Sequence, residues 1–159
     1  YKRQVLRQIV SNDYLHTEIR AKGGAYGDGL NAGIDYLAEF TFRDPNLARS
    51  LEVMRKSAEF LKSFELDKDE LERIKIASTL KYNKAYGKGQ KGELAFVRML
   101  QGMSEEDDLK AYREILDTDL NVLKEKYVDK LHRLEGASFA VIGPDGDDGV
   151  SYDEVIDIR

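Results

Sequence analysis

The feature that most constrains this chain is a helical pattern that runs into two adjacent glycines. Across residues 2 to 22, Val5, Ile9, His16 and Ile19 share one side at about 100° per residue, and Leu6, Val10 and Tyr14 widen the apolar arc. Gln4, Arg7, Ser11 and Glu18 form the polar face. The pattern stops at Gly23-Gly24. Glycine costs a helix interior about 1 kcal/mol relative to alanine, whereas a helix C-terminus favours a residue with positive φ. The helix is therefore expected to end there, and the chain to resume as an extended segment through Tyr26. Arg20 falls in the last helical turn and Tyr26 on the glycine-shaped bend, where the two can converge on one polar target. Spacing leaves two readings of that pair open. Either they bind a ligand together, or Arg20 complements the helix dipole and Tyr26 packs under the loop. His16, on the apolar side, is expected to be a core histidine with a hydrogen-bond partner.

Beyond the bend, Leu30, Ala32, Ile34, Tyr36, Ala38, Phe40 and Phe42 alternate with Asn31, Asp35, Glu39, Thr41 and Arg43. That period of two predicts a strand buried on one face, and Asn31 to Asp35, around Gly33, offers a turn that would split it into a hairpin. Asp44 as N-cap and Pro45 at the first helical position open a helix with Leu47, Leu51, Met54, Ala58 and Leu61 inward. Asp67 and Glu70 make a capping-box start for a third helix, with Leu71, Ile74 and Ala77 inward. Residues 85–92 are rich in glycine and lysine but lack the Gly-Lys-Ser/Thr ending of a phosphate loop, so a flexible surface loop is expected. A short helix over Glu93–Gln101 follows. Ser104 caps the next, whose Glu105, Glu106, Asp107 and Asp108 suit the positive end of a helix dipole better than a metal. Thr118 caps a last helix with Leu120, Leu123, Tyr127, Leu131 and Leu134 inward, ended by Gly136. The apolar run 137–143 predicts a buried strand, and residues 145–159 an acidic turn and tail. The sum is an α+β domain, with five or six helices on one face of a mainly antiparallel sheet of about three strands. Its first helix begins almost at once, as though a preceding strand were missing, so a domain truncated at its N-terminus is expected.

Composition narrows the function by exclusion. The 159 residues amount to a single domain, and a net charge of −5 argues against nucleic acid as the main partner. No apolar run approaches the 18 residues of a membrane span. Without cysteine there is neither a disulfide framework nor a thiolate site, and the redox compartment stays open. The two histidines, His16 and His132, lie in neither His-Glu-x-x-His nor His-x-x-Glu-His, and no Gly-x-Ser-x-Gly occurs. No complete catalytic centre is legible in this chain.

The stretch Tyr-Leu-His-Thr-Glu-Ile-Arg-Ala-Lys-Gly-Gly-Ala-Tyr-Gly, residues 14–27, resembles the C-terminal half of presequence proteases, within the pitrilysin and insulin-degrading metallopeptidases. Phe42-Arg43-Asp44-Pro45-Asn46, Lys91-Gly92 and Val141-Ile142-Gly143-Pro144 match in the same order. Residues 83–90 depart from the pattern, since relatives often carry a proline-containing segment there. The resemblance implies residues 1–159 to be a single C-terminal, non-zinc domain of a clamshell peptidase that digests unfolded peptides in a closed chamber. Zn2+ would sit in the missing N-terminal half, on the inverted His-x-x-Glu-His motif, and no metal ligand is expected in this chain. Arg20 and Tyr26 match the arginine and tyrosine that the C-terminal half lends: Arg20 for substrate binding, Tyr26 for substrate binding and catalysis as a donor to the oxyanion. The expected partners are a peptide substrate and the zinc-bearing half, with no nucleic acid and no membrane. The expected location is cytoplasmic, or an organellar matrix if the source is eukaryotic. Alone, the fragment should be inactive. A non-catalytic peptide-binding or scaffold subunit paired with a separate zinc-bearing chain is the alternative, and a structural module unrelated to proteolysis a third.

Overall fold

The computed structural model describes residues 1–33, 35–80, 85–143 and 149–156, without the Glu105 side chain. The first helix is a composite. Arg3–Gln8 is α-helical (α1), and Ile9–Ala21 continues it as a π-helix. π windings bond residue i to i+5 and are mostly a single turn; this one runs 13 residues. Residues five apart therefore stack, and the buried set becomes Ile9, Val10, Leu15 and Ile19. Leu15 enters the core, fully buried, and His16 leaves it. The expectation of a core histidine is thus corrected: the wider winding turns His16 toward the neighbouring strand, its side chain half exposed.

The hairpin forms. β1 (Gly27–Ala32) and β2 (Leu37–Phe42) pair antiparallel, from Gly27 opposite Phe42 to Ala32 opposite Leu37. Gly33 N–H donates to the Tyr36 carbonyl at 3.0 Å across the turn. Ile34, counted in the alternating pattern, lies outside the described residues. The face assignment in β2 is inverted relative to the expectation. Leu30 opposes Glu39, so even-numbered residues of β1 share a face with odd-numbered residues of β2. Leu37, Glu39 and Thr41 accordingly face inward with Leu30, while Phe40 and Phe42 stand exposed on the other side. A change of phase in the turn sends every side chain of a strand to the opposite face.

Seven α-helices, counted among the described residues, complete the domain with α1. Residues 47–63 form two helices, α2 (Leu47–Arg55) and α3 (Ser57–Ser63), broken at Lys56. Asn46, not Asp44, is the N-cap of α2; Asp44 instead accepts from Asn46 N–H and Thr41 Oγ1–H, each at 2.8 Å. The helix α4 (Lys68–Thr79) has the expected capping box between Asp67 and Glu70. The expected loop over 85–92 is largely helix: α5 spans Lys88–Leu100, with Gln90 Oε1 accepting from the backbone N–H of Gly87. The helix α6 (Glu105–Leu116) is capped by Ser104, whose hydrogen bonds hold the Asp107 carboxyl below its usual range. The last, α7 (Leu120–His132), is capped by Asp119 rather than Thr118, whose hydroxyl donates back to the Glu114 carbonyl. A short 3-10 helix, Arg133–Gly136, follows.

One apolar core joins the composite helix, β1 and helices α2, α3, α6 and α7 through Val5, Leu6, Leu30, Val53, Leu61, Ile115, Leu123 and Leu131. The fold is α+β, with helices on one face of a two-stranded antiparallel sheet. Residues 137–143, expected as a buried strand, form no strand among the described residues, and Ile142 is 91% exposed. A strand needs a partner edge, and among the described residues this segment pairs with neither outer edge of the hairpin. The acidic turn lies outside the described residues for 144–148, as do 83–84 of the departing segment and 157–159 of the tail.

Candidate functional site

Two glycines build the bend by different means. Gly24 takes a φ of +84°, which side chains rarely adopt. Gly23 is buried, and only glycine fits there, since a Cβ would overlap the Ile19 carbonyl oxygen. Gly24 N–H donates to the Arg20 carbonyl at 2.9 Å and Ala25 N–H to the Ile19 carbonyl at 3.2 Å, so the end of the π-helix is satisfied. Asn46 Nδ2 donates to the Gly23 carbonyl at 2.8 Å, tying the bend to the start of α2. On the outer side of the π-helix, Glu18 accepts from Lys22 Nζ at 2.5 Å and from Arg49 Nη2 at 3.2 Å, anchoring the last turn.

This frame brings Arg20 and Tyr26 together. The Arg20 guanidinium lies 5.9 Å from the centroid of the Tyr26 ring, and that ring is 63% exposed. Tyr26 N–H is shared between the Phe42 and Arg43 carbonyls at 3.1 and 3.4 Å, which extends the hairpin by one position and fixes the side chain beside the sheet. The Phe42 ring meets Tyr26 edge-on at 6.0 Å. Two further groups that spacing did not single out join the cluster. Arg43 places its guanidinium 5.6 Å from the Tyr26 centroid. Asp28 lies beneath, its side chain 3% exposed, with its carboxylate 3.7 Å from His16 Nδ1. Burial pushes the Asp28 carboxyl up, and the charges of His16 and Arg20 act in the opposite sense. In the sequence, Asp28 sits inside the glycine-bounded block and Arg43 closes the alternating strand, but neither position carries a motif of its own.

The site is open surface. Two shallow concavities, one lined by Tyr14, Glu18, Arg49, Glu52, Val53 and Lys56 and one along α6, include neither Arg20 nor Tyr26. What the cluster offers chemically is cationic and donating: two guanidinia and a phenolic O–H. Zinc does not fit it. Among the described residues no group of three or more His, Cys, Asp or Glu is placed to hold a metal ion, and the acidic Asp28 is buried against His16.

The fold and the bend together define an α+β domain that presents an arginine and a tyrosine at its surface. The sequence profile described as PreP C-terminal domain matches residues 2–141, and the chain belongs to that family. It is the C-terminal domain of a presequence-protease-like peptidase. It is 34% identical over 143 residues to a protein of Schizosaccharomyces pombe named mitochondrial presequence protease, a match that covers 89% of this chain and 14% of that protein. A Clostridium perfringens protein named HypA is 34% identical over 121 residues, 76% of this chain and 12% of that protein. The mitochondrial presequence protease of Xenopus tropicalis is 30% identical over 147 residues, again 89% of this chain and 14% of that protein. The chain thus spans about one seventh of the length of these relatives.

Proposed function

We propose that this chain works as the C-terminal domain, residues 1–159, of a longer zinc-dependent peptidase that degrades unfolded peptides inside a closed two-half chamber. Arg20 and Tyr26 are its contribution to the reaction. The observation that carries this reading is their convergence at 5.9 Å on an exposed bend. A site of that shape gains its enclosure when a second half closes over it. In this reading the metal sits in that other half; among the described residues no group of three or more His, Cys, Asp or Glu is placed to hold one.

In such a chamber the Tyr26 hydroxyl donates a hydrogen bond to the oxygen that becomes negative as the peptide carbonyl is attacked. The donor is most effective where closure excludes water and charge is poorly screened. The Arg20 guanidinium holds the substrate backbone by its carbonyl oxygen and steadies the Tyr26 ring through their cation–π contact, worth about 0.5–1 kcal/mol at an exposed site. The partners are the peptide and the zinc-bearing half, and the fragment alone is inactive. For a eukaryotic parent the mitochondrial relatives favour an organellar matrix; a bacterial parent keeps the cytoplasmic expectation.

The test is kcat/KM of the full-length parent on an unstructured peptide, for wild type and Tyr26→Phe, with zinc content measured in both. Loss of one oxyanion donor lowers the rate by about 10²–10³-fold. Equal rates with equal zinc would reduce Tyr26 to a packing role. A wild type that binds the peptide without cutting it would move the assignment to the non-catalytic subunit.

A further inference from the structure

Arg43 has a backbone conformation that needs explaining. Its φ is +49°, and it is the non-glycine residue with positive φ among those described. The left-handed region is uncommon for a residue with a long side chain, and strain of this kind concentrates at ligand clamps and active sites. The cause lies on both sides of it. Before Arg43, β2 is held in register to Phe42. After it, Pro45 restricts Asp44 to extended conformations, and Asp44 is pinned by Thr41 Oγ1–H and Asn46 N–H, each at 2.8 Å. The one residue between must turn sharply. Glycine would do so without strain. An arginine stands there instead, and the turn brings its guanidinium back to 5.3 Å from the Phe42 centroid and 5.6 Å from that of Tyr26.

The outcome is a pair of cations about one phenol. The Arg20 and Arg43 guanidinia each lie within 6 Å of the Tyr26 centroid. Among the described residues neither has a carboxylate within ion-pair distance, while Arg49 and Arg98 both do. Asp28, whose carboxyl feels the Arg20 charge, has its side chain buried against His16. Guanidinium is weakly hydrated, and its planar fork matches a carboxylate. We propose that Arg43 is a substrate-positioning residue, which together with Arg20 makes the Tyr26 site a receptor for a carboxylate of the peptide. This rests on the reading of Arg20 and Tyr26 given above and adds a preference to it.

The carboxylate has two sources, the C-terminus of the peptide or an acidic side chain, and paired peptides separate them. One pair differs only in a free against an amidated C-terminus, the other only in Glu against Gln beside the scissile bond. Affinity by fluorescence anisotropy and kcat/KM are measured on the full-length protein at low and high salt, for wild type, Arg43→Met, Arg43→Lys and Tyr26→Phe. Wild type should favour the charged member of one pair by about tenfold, as for a hydrogen bond to a charged group, less at high salt. Arg43→Met should bring that ratio toward unity through affinity and KM, and Arg43→Lys should restore part of it. The ratio is unaffected by a general loss of folding, and the affinity arm stands even without hydrolysis. A wild type indifferent to both pairs would overturn the proposal, as would an Arg43→Met protein that keeps the preference or loses all peptides equally. Tyr26→Phe, read on the amidated peptide, reports separately on the function proposed above, so the two failures are distinguishable.

Discussion

Two glycine-rich stretches of this chain have similar composition and opposite fates. Residues 23–29 hold four glycines and form the bend that ends the π-helix and starts β1. Residues 87–92 hold three and form the first turns of α5. In the bend, the Gly23 position has no room for a Cβ and Gly24 has positive φ. In α5, a Cβ at Gly89 or Gly92 would meet nothing within 4 Å. The difference carries on outward. The bend is gripped by Asn46 and carries the Arg20 and Tyr26 cluster, whereas α5 buries none of its residues and exposes Phe96, Met99 and Leu100. Glycine content says where a chain is permissive. What lies beyond the missing Cβ decides whether that permission is used.

The comparison can be broken by a single methyl group. Gly23→Ala drives a Cβ into backbone that cannot move without unwinding the last π turn, and should destabilise the chain by about 2–4 kcal/mol in urea unfolding. In the full-length protein it should lower kcat/KM as well, because Arg20 and Tyr26 are hung from the same bend. Near-wild-type stability would show that the bend can relax and that Gly23 is not dictated by space.

Glu39 probes the packed side of the same hairpin. It faces inward from β2, and among the described residues neither carboxylate oxygen has a hydrogen-bond partner. Burial pushes its carboxyl up to about 7, while the nearby Ser57 hydroxyl acts in the other direction without forming a bond of good geometry. The folded state therefore holds a proton that the unfolded state releases between its ordinary value near 4.5 and about 7, and stability falls as pH rises through that window. Glu39→Gln removes the fall. It should be close to neutral below pH ~4.5 and stabilising by about 1–3 kcal/mol above pH ~7. Thermal unfolding of both proteins across that range checks it, and a difference that does not change with pH would refute the buried-carboxyl account.

The smallest effect sharpens the comparison from the other side. Gly92→Ala makes in α5 the change that the bend should not tolerate. With open space around it and a helical backbone, alanine should stabilise by up to ~1 kcal/mol. A loss of stability on urea titration would refute the open space around Gly92 as the reason the change is tolerated.

Local chemistry carried much of the fold into the sequence. The helix end at Gly23-Gly24, the hairpin around Gly33, the Asp67–Glu70 capping box, the Ser104 cap and the inward stripe of α7 all depend on groups within a few residues of one another. The pairing of Arg20 with Tyr26 was legible for the same reason, since only six positions and two glycines separate them. Tertiary structure decided the rest. The π winding exchanged His16 for Leu15 in the core, because it stacks residues five apart rather than three or four. The turn's phase sent Phe40 and Phe42 outward and Glu39 inward, because face is set by register with β1 rather than by alternation within one strand. Arg43 reached Tyr26 only because the hairpin folds back on itself and the anchored Asp44-Pro45 leaves that residue to make the turn. Sequence set where the backbone could bend, and the packing of distant segments chose which side chains met there.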